Sequence, residues 1–276
     1  MTLPAVPESF YWTQSRCGPV LKCRPLGAIA DHLFTTREPQ LSSANDWRRL
    51  GGLLGAAEVV TSHQVHGRDV ASCRRGVPRA PGRQNADVLV SDDPDVAVAV
   101  RAADCVPLLL ADSRTGAVAA VHAGWRGTAA GAATAAVHAL AREFGSNPDD
   151  LIAAIGPSIG VCCYEVGTEL VDAFAAAGHP RRLVDRWFMI RDSGSGLRDS
   201  GSGVRDSGRG IRDPRSRCLY LDVAGANRDQ LMLAGLGDEH IFGCGLCTAM
   251  HLDVLTSYRA EKEKAGRIAG IIRSGA

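Results

Sequence analysis

Hydrophobic residues in this 276-residue chain fall into short runs separated by polar turns rich in glycine and proline. The two most apolar runs, residues 96–112 and 117–123, flank a short polar turn and have lengths typical of buried strands. They predict two neighbouring strands at the centre of the molecule. Polar side chains interrupt both runs: Asp104 and Cys105 in the first, and His122 in the second, just before a Gly-Trp-Arg-Gly turn.

The remaining pattern predicts further strands and helices around these two runs. Strands are predicted at residues 10–12, 28–37, 58–66, 86–91, 151–155, 186–190, 220–223, 241–247 and 267–273, with a hairpin return at 68–73. Helices are predicted at residues 42–55, 127–144, 167–177 and 227–236. Strands and helices alternate only partly, and hairpin-like returns are common. We therefore predict an α/β (α+β) fold in one domain, a layered sandwich with mixed β-sheets and flanking helices.

Two segments differ from this core pattern. Residues 1–27 are mixed in character, and we expect them to pack as an N-terminal segment on a main domain formed by residues 28–276. Residues 191–213 repeat a seven-residue unit, RDSGSGL, with one apolar residue and two glycines in each unit. No coiled coil could use that repeat, so we interpret it as a low-complexity surface insertion. A cation- or phosphate-binding role for the repeat is the less favoured alternative.

Composition restricts the classes of function. The chain is 45% hydrophobic and 22% charged, with a net charge of +1, which is typical of a soluble globular protein without a field that attracts nucleic acid or membranes. Aromatic residues make up only 5%, so platforms for stacking nucleic-acid bases are not expected. We see neither a membrane span nor a secretory signal. Nine cysteines, an odd number, favour free thiols in a reducing cytoplasm over a disulfide framework.

Three side chains suited to metal binding, His66, Cys105 and His122, lie at strand ends or just before glycine turns. Thiolate and neutral imidazole are good zinc ligands, and three protein ligands leave the fourth position open, as in catalytic zinc sites. The same residue types also form Cys–His nucleophile pairs. Their wide spacing does not decide between these chemistries and ordinary core packing. His63 is left out, because on a strand it would point to the face opposite His66.

Several longer motifs are shared with a known family. They are QVHG (64–67), ADCVPLLLAD (103–112), VHAGWRGT (121–128), IGPSIGVCCYEVG (155–167) and the separated Cys-Thr, Ser-Tyr-Arg and Gly-Arg-Ile-Ala motifs of residues 247–269. In this order they resemble the laccase-domain family, also described as multicopper polyphenol oxidase-like, peptidoglycan editing factor-like or zinc-dependent purine nucleoside phosphorylase. The resemblance covers about residue 28 to the C-terminus. The chain departs from the family pattern at two places. One is the seven-residue repeat, and the other follows Arg37, where EPQLSS replaces the family's usual GGVS.

The resemblance implies a zinc ion held by His66, Cys105 and His122. It also implies phosphorolysis of adenosine, inosine and methylthioadenosine, and deamination of adenosine, so that nucleosides and phosphate are the expected partners. The chemistry is consistent, because zinc activates the water that deamination needs and arginine holds phosphate well. Arg37 is therefore a candidate substrate contact and Arg126 a candidate catalytic cation, each against the alternative of a surface ion pair.

Other residues have weaker assignments. Asp104 is a candidate for orienting a metal ligand or moving a proton, against the alternative of a hydrogen-bonded carboxylate at a strand end. Tyr164 and Arg259 are candidates for lining the substrate cleft. The vicinal pair Cys162–Cys163 suggests redox chemistry, but buried packing beside Tyr164 is the preferred interpretation.

Three alternative functions stay open at this point. A hydrolase that edits peptidoglycan precursors could use a zinc-activated water, or Cys105 as nucleophile with His122 as base. A copper-dependent polyphenol oxidase is disfavoured, because blue-copper laccases need many histidine ligands and this chain has eight histidines and no His-x-His pair. A binding module with a closed structural site is the non-enzymatic alternative. Copper could replace zinc, given the affinity order of divalent metals, and the oligomeric state is not predicted.

Overall fold

Strands account for most of the core in the computed structural model, which describes residues 2–79, 82–192 and 217–275. The strands are β1 (Phe10–Ser15), β2 (Gly18–Cys23), β3 (Ala30–Thr35), β4 (Glu58–Thr61), β5 (Val70–Cys73), β6 (Val88–Ser91), β7 (Val96–Ala102), β8 (Val106–Asp112), β9 (Val118–Ala123), β10 (Leu151–Ile155), β11 (Glu165–Val166), β12 (Phe188–Asp192), β13 (Arg217–Leu221), β14 (Ile241–Gly243) and β15 (Ile268–Ser274). The α-helices are α1 (Arg24–Gly27), α2 (Ala44–Leu53), α3 (Trp125–Ala130), α4 (Ala132–Phe144), α5 (Glu169–Ala176), α6 (Arg181–Trp187), α7 (Val223–Leu233) and α8 (Tyr258–Glu261).

These strands form three mixed or antiparallel sheets. The first has the order β1-β2-β3-β15-β7-β4, the second β14-β10-β8-β9-β6-β5, and the third β11-β13-β12. Most neighbouring strands are antiparallel, but β4 runs parallel to β7, β5 to β6, and β10 to β14. The predicted fold class, a layered α/β sandwich with mixed sheets, is therefore confirmed.

The central strands are buried on both faces, which explains why their sequences read as continuous apolar runs. Val98 of β7 and Leu109 of β8 belong to the core between the two large sheets. Ala99, which follows Val98, faces the layer that contains α2. Leu108, which precedes Leu109, faces the layer that contains α4, α6 and α7. Successive residues of a strand point to opposite faces, so each strand contributes to two cores. The result is a four-layer arrangement of helix, sheet, sheet and helices.

The chain changes sheets in the middle of the first apolar run. Residues 96–112 were predicted as one strand, but β7 lies in the first sheet and β8 in the second. The crossing occurs at residues 103–105, where Asp104 has a φ of +84°. β8 then pairs antiparallel with β9, so the prediction of two neighbouring buried strands is correct for these two. The crossing places Asp104 and Cys105 at an edge between the sheets.

Three other predictions of local structure were wrong. The strand predicted for residues 58–66 ends at Thr61, and His66 has a φ of +63° in the loop that follows. The segment at residues 68–73 does not return to it as a hairpin, because β5 pairs parallel with β6 in the second sheet. The helix predicted at residues 127–144 is divided at Gly131, whose φ of +84° separates α3 from α4. Glycine adopts that backbone conformation without the strain of a Cβ.

The N-terminal segment joins the first sheet. Residues 10–23 form the β1–β2 hairpin, which extends the first sheet next to β3. The seven-residue repeat falls outside the described residues, apart from its first two residues at the end of β12. The strands that it connects, β12 and β13, pair antiparallel. In the part of the chain that the structure describes, no helix has the length and apolarity needed to cross a membrane.

Candidate metal centre

The three predicted ligands come together where the two large sheets meet. His66 lies in the loop after β4, Cys105 directly precedes β8, and His122 is in β9. Because Val106 pairs with Ala123, Cys105 is held beside the end of β9. One nitrogen of each imidazole and the Cys105 sulfur all lie within 4.8 Å of one another. The two rings meet edge to face, with centroids 4.9 Å apart.

Asp87, a residue that the sequence analysis missed, organises both histidines. It is fully buried and immediately precedes β6, which pairs with β9. One carboxylate oxygen lies 2.8 Å from His122 Nδ1. The same carboxylate accepts hydrogen bonds from the backbone N–H groups of Val65, His66 and Gly67, at 3.1, 3.0 and 2.7 Å. A carboxylate behind a ligating histidine is the usual outer-shell partner in metal sites, where it fixes the tautomer and the ring direction.

The electrostatics of the cluster favour an ionised thiol. Burial raises the pKa of Cys105, but hydrogen bonds from His122 and His66 outweigh burial and lower it to about 6. Burial lowers the pKa of His122, but Asp87 and Cys105 outweigh that effect and raise it to about 9. Cys105 is therefore a thiolate at neutral pH, and a metal ion that binds here replaces the proton on His122.

The donor set fits a zinc ion. Two imidazole nitrogens and one thiolate match the ligand types of zinc, and a set of three leaves one position open for water or substrate. The Asp87 carboxylate supplies the outer-shell hydrogen bond that such sites use. The observed convergence of His66, Cys105 and His122 agrees with the predicted ligand set, while the identity of the metal belongs to the proposal below.

Gly124 allows the three donors to approach one another. A Cβ at this position would lie 2.6 Å from Cys105 Sγ and 3.3 Å from His66 Cδ2. Its backbone, with φ −74° and ψ 178°, is accessible to any residue, so the restriction is steric only. We expect Gly124→Ala to displace the thiol, to weaken metal binding about ten- to hundredfold, and to cost about 1–3 kcal/mol of stability by overpacking.

Metal content and thermal unfolding of the purified variant measure both effects. Gly243→Ala is the matched control, because a Cβ at Gly243 meets nothing within 4 Å. Unchanged metal content in Gly124→Ala would contradict the close approach of Cys105 to Gly124.

The centre opens into a cleft of about 690 Å³ with a basic wall. Four cationic side chains line it: Arg101, Arg259, Lys262 and Arg267. Burial, followed by repulsion from the guanidinium groups of Arg83 and Arg267, lowers the pKa of Arg101. The four cationic side chains outnumber the one lining carboxylate, that of Asp104, so the cleft attracts anions.

Asp104, Tyr164 and Arg259 all line this cleft, as the sequence analysis proposed for the last two. The Asp104 carboxylate accepts hydrogen bonds from Thr248 Oγ1 and from the Arg259 backbone N–H, both at 2.6 Å. The Arg259 guanidinium donates to the Glu165 carbonyl at 2.8 Å and lies over the Tyr164 ring, 5.2 Å from its centroid. Asp104 thus anchors the crossing next to Cys105. Its suggested role in proton transfer stays a prediction.

Arg37 and Arg126 lie outside the described lining of the cleft. Arg37 forms an ion pair with Glu261 at 3.0 Å and donates to the Leu252 carbonyl, so it ties the end of β3 to the segment around α8. Arg126 is exposed, and its guanidinium carbon lies 4.3 Å from the centroid of the Trp125 ring. The substrate and catalytic roles suggested for these two arginines stay predictions.

His63 lines the cleft although the sequence analysis left it out. The exclusion assumed that residues 58–66 form one strand, in which residues three apart face opposite sides. The strand ends at Thr61, so this alternation does not apply to His63. Arg101 was also missed, although it is a charged residue at the end of an apolar run, the same signal that identified Asp104 and Cys105.

The fold and the site define a class: a layered α/β protein with a His-Cys-His centre at the base of a basic cleft. The chain belongs to the family described as multi-copper polyphenol oxidoreductase laccase, whose family model matches residues 34–274. Among solved structures, the YfiH protein of Bacillus licheniformis is similar over 96% of this chain and 99% of its own, with a TM-score of 0.76 and 25% identity.

Sequence relatives agree with this membership. A purine nucleoside phosphorylase of Deinococcus radiodurans is 33% identical over 87% of this chain and 88% of its own length. One of Bacteroides thetaiotaomicron is 32% identical over 66% of this chain, and the match spans 58% of that relative's length. The adenosine deaminase RL5 of an unknown prokaryotic organism is 46% identical over 34% of this chain and 36% of its own.

Proposed function

We propose that this protein is a zinc-dependent purine nucleoside enzyme that phosphorolyses adenosine, inosine and methylthioadenosine and deaminates adenosine. The observation that carries the proposal is the three-donor centre of His66, Cys105 and His122 at the base of a basic cleft. The names of the relatives, purine nucleoside phosphorylase and adenosine deaminase, support the substrate class. Nucleosides and phosphate are the proposed partners. A cytoplasmic location is part of the proposal, and the odd number of cysteines, nine, is consistent with it.

The residues divide into a centre and an anion-binding wall. A zinc ion bound by the three ligands would lower the pKa of a water molecule and so supply a nucleophile at neutral pH. Asp87 keeps the His122 ring directed at the centre. Arg101 and Arg267 are the groups we assign to phosphate, because guanidinium groups match the geometry of phosphate oxygens. The remaining volume of the cleft accommodates a nucleoside.

A second candidate is a peptidoglycan-precursor hydrolase that uses Cys105 as nucleophile. The observation that favours it is the close pair of Cys105 and His122, in which hydrogen bonding from His122 lowers the pKa of the thiol against the effect of burial. This hydrolase would not need a metal, so a chelator separates it from the zinc enzyme. The copper oxidase is less favoured, since among the described residues the two groups of three candidate ligands contain only two histidines, both in the centre.

The decisive experiment is product analysis with adenosine, with and without phosphate, on protein of known metal content. Formation of inosine by zinc-loaded protein, and of adenine only when phosphate is present, is the expected result. Both activities should disappear on treatment with a chelator and return with zinc. A folded, zinc-loaded protein that turns over no nucleoside would overturn the proposal. Chelator-resistant cleavage of a cell-wall precursor would support the hydrolase instead.

Replacing Arg101 should affect phosphate and leave deamination nearly unchanged. A hydrogen bond to a charged group contributes about 1.5–3 kcal/mol, so Arg101→Gln should raise the KM for phosphate about ten- to hundredfold. The phosphate dependence of adenine formation measures this effect. Arg142→Gln, at an exposed position of α4, serves as the control for loss of a positive charge. An equal loss of phosphate-independent deamination would show that Arg101 acts on the fold or the centre instead.

A further inference from the structure

A second cluster of potential metal ligands consists only of cysteines: Cys162, Cys163 and Cys247. Their three sulfur atoms lie within 4.8 Å of one another. The first two come from the turn after β10 and the third from the turn after β14. Cys162 is exposed, so the predicted buried packing does not hold for it, whereas Cys163 is half-buried and packs against the core together with Tyr164.

Backbone contacts hold the two turns together independently of the sulfur atoms. The Ser158 N–H donates to the Leu246 carbonyl at 3.2 Å, and the Thr248 N–H donates to the Ser158 carbonyl at 3.0 Å. The N–H groups of Cys163 and Tyr164 both donate to the Gly160 carbonyl, at 2.9 and 3.0 Å, which closes a tight turn. The vicinal thiols are therefore positioned next to Cys247 by the fold itself.

Gly160 is part of this arrangement in two ways. Its N–H donates to Cys247 Sγ at 3.2 Å, a contact that stabilises a thiolate. A Cβ at this position would lie 3.2 Å from both Cys162 Sγ and Cys247 Cβ, so the turn approaches Cys247 as closely as glycine allows. The cluster is thus close-packed, and the exposed Cys162 gives it access to solvent.

The three thiols differ in their surroundings. Cys247 is buried and accepts a hydrogen bond from the Gly160 N–H, whereas Cys162 is exposed to solvent. A metal ion that binds thiols displaces their protons, so the exposed side of the cluster is where an ion and the released protons exchange with solvent.

We propose that Cys162, Cys163 and Cys247 form a second metal site, which binds a soft monovalent ion of the Cu(I) class. All three donors are sulfur, and soft thiolates select Cu(I). A structural zinc site is completed by four protein ligands, and no fourth His, Cys, Asp or Glu joins this group among the described residues. Binding is a ligand exchange without redox change: three Cu–S bonds form, and the protons that the thiols carry leave to solvent.

An occupied cysteine site would connect two walls of the catalytic cleft. Tyr164, which lines the cleft, directly follows Cys163. Thr248, which donates to Asp104, directly follows Cys247. An ion shared by the two turns therefore restrains the segments that carry Tyr164 and Thr248, and the site acts as a clip rather than as part of the His-Cys-His centre.

The test uses the full chain with His66→Ala, Cys105→Ala and His122→Ala, so that the cleft centre does not contribute ligands. The reduced protein is titrated anaerobically with Cu(I) against a chromophoric Cu(I) chelator, and the bound copper is studied by X-ray absorption. We expect one equivalent of Cu(I) in a shell of three sulfur atoms. Cys162→Ser, at an exposed position that tolerates the change, should leave two sulfur atoms in the shell and weaken binding at least about tenfold.

Cys218→Ser is the matched control, because Cys218 is a partly exposed thiol outside the cluster, and it should leave Cu(I) binding unchanged. Cys163→Ser provides a second variant should one substitution alter the turn. Failure of the protein to compete with the chelator would overturn the proposal. A copper shell in the parent protein that contains nitrogen or oxygen would also overturn it. So would Cu(I) affinities of Cys162→Ser and Cys163→Ser that both equal that of the parent protein. A disulfide that forms within the cluster even when Cu(I) is loaded under reducing conditions would also overturn the proposal. That result would indicate a redox pair.

Discussion

Replacement of Cys105 by alanine is expected to abolish zinc binding and nucleoside turnover together. The Cys105 sulfur is the only thiol donor of the centre among the described residues, and the two histidines that remain cannot make a three-ligand site. Loss of an outer-shell partner already weakens metal binding about ten- to hundredfold, so loss of the thiolate itself should reduce zinc affinity and turnover by more than about a hundredfold. Zinc content by elemental analysis and initial rates on adenosine measure the two losses.

Cys244→Ala is the appropriate control for removal of a buried thiol. Cys244 is buried in the core between the sheets, and burial raises its pKa to about 12, so it packs as a neutral apolar group. This variant should lose some stability and keep its zinc. Full activity in a metal-free Cys105→Ala protein would contradict both the zinc and the thiol mechanisms. Loss of activity with full zinc content would instead favour Cys105 as a nucleophile.

The residues that converge at the centre could be singled out from the sequence because they are chemically out of place. Cys105 and His122 interrupt or end apolar runs, and a buried strand gains little from a thiol or an imidazole unless it meets a partner. The motifs around them carried the family resemblance. By contrast, nothing in residues 96–112 indicates that β7 and β8 belong to different sheets. Which sheet a strand joins depends on pairing with distant segments, and local periodicity does not contain that information.

The residues that support the centre were harder to find. Asp87 precedes a short strand and looks like a boundary residue, but its carboxylate meets His122, which is 35 positions away in sequence. The segment around β4 and β5 was misassigned because its β-branched residues suit a strand, whereas Gln64 binds the backbone of Arg101 and so belongs to a loop over the cleft. These contacts are long-range side-chain interactions, and a propensity scale records none of them.

Asp87→Asn should weaken zinc binding about ten- to hundredfold without removing a ligand. An asparagine has one acceptor oxygen and an NH₂ group that donates, so it cannot accept from three backbone N–H groups and His122 Nδ1 together. A buried donor left without a partner costs about 1–3 kcal/mol, so stability should fall as well. Competition with a zinc chelator and thermal unfolding measure the two effects.

Asp112→Asn separates the loss of the centre from the loss of a buried carboxylate. Asp112 is 1% exposed and accepts hydrogen bonds from the Arg114 and Thr115 N–H groups at 2.7 and 3.0 Å, but it contacts no ligand of the centre. Asp112→Asn should therefore lose stability and keep its zinc affinity. Equal loss of zinc affinity in both variants would show that Asp87 acts through general stability.

The pH dependence of Asp87→Asn provides a sharper criterion. Burial lowers the pKa of His122, but in the native protein Asp87 and Cys105 raise it to about 9, so protons compete with zinc below that pH. Without the carboxylate the pKa of His122 falls, and this competition begins at lower pH. The affinity deficit of the variant should therefore widen as the pH rises toward about 9. A deficit that is constant with pH would mean that Asp87 positions the His66 loop but has no electrostatic effect on His122.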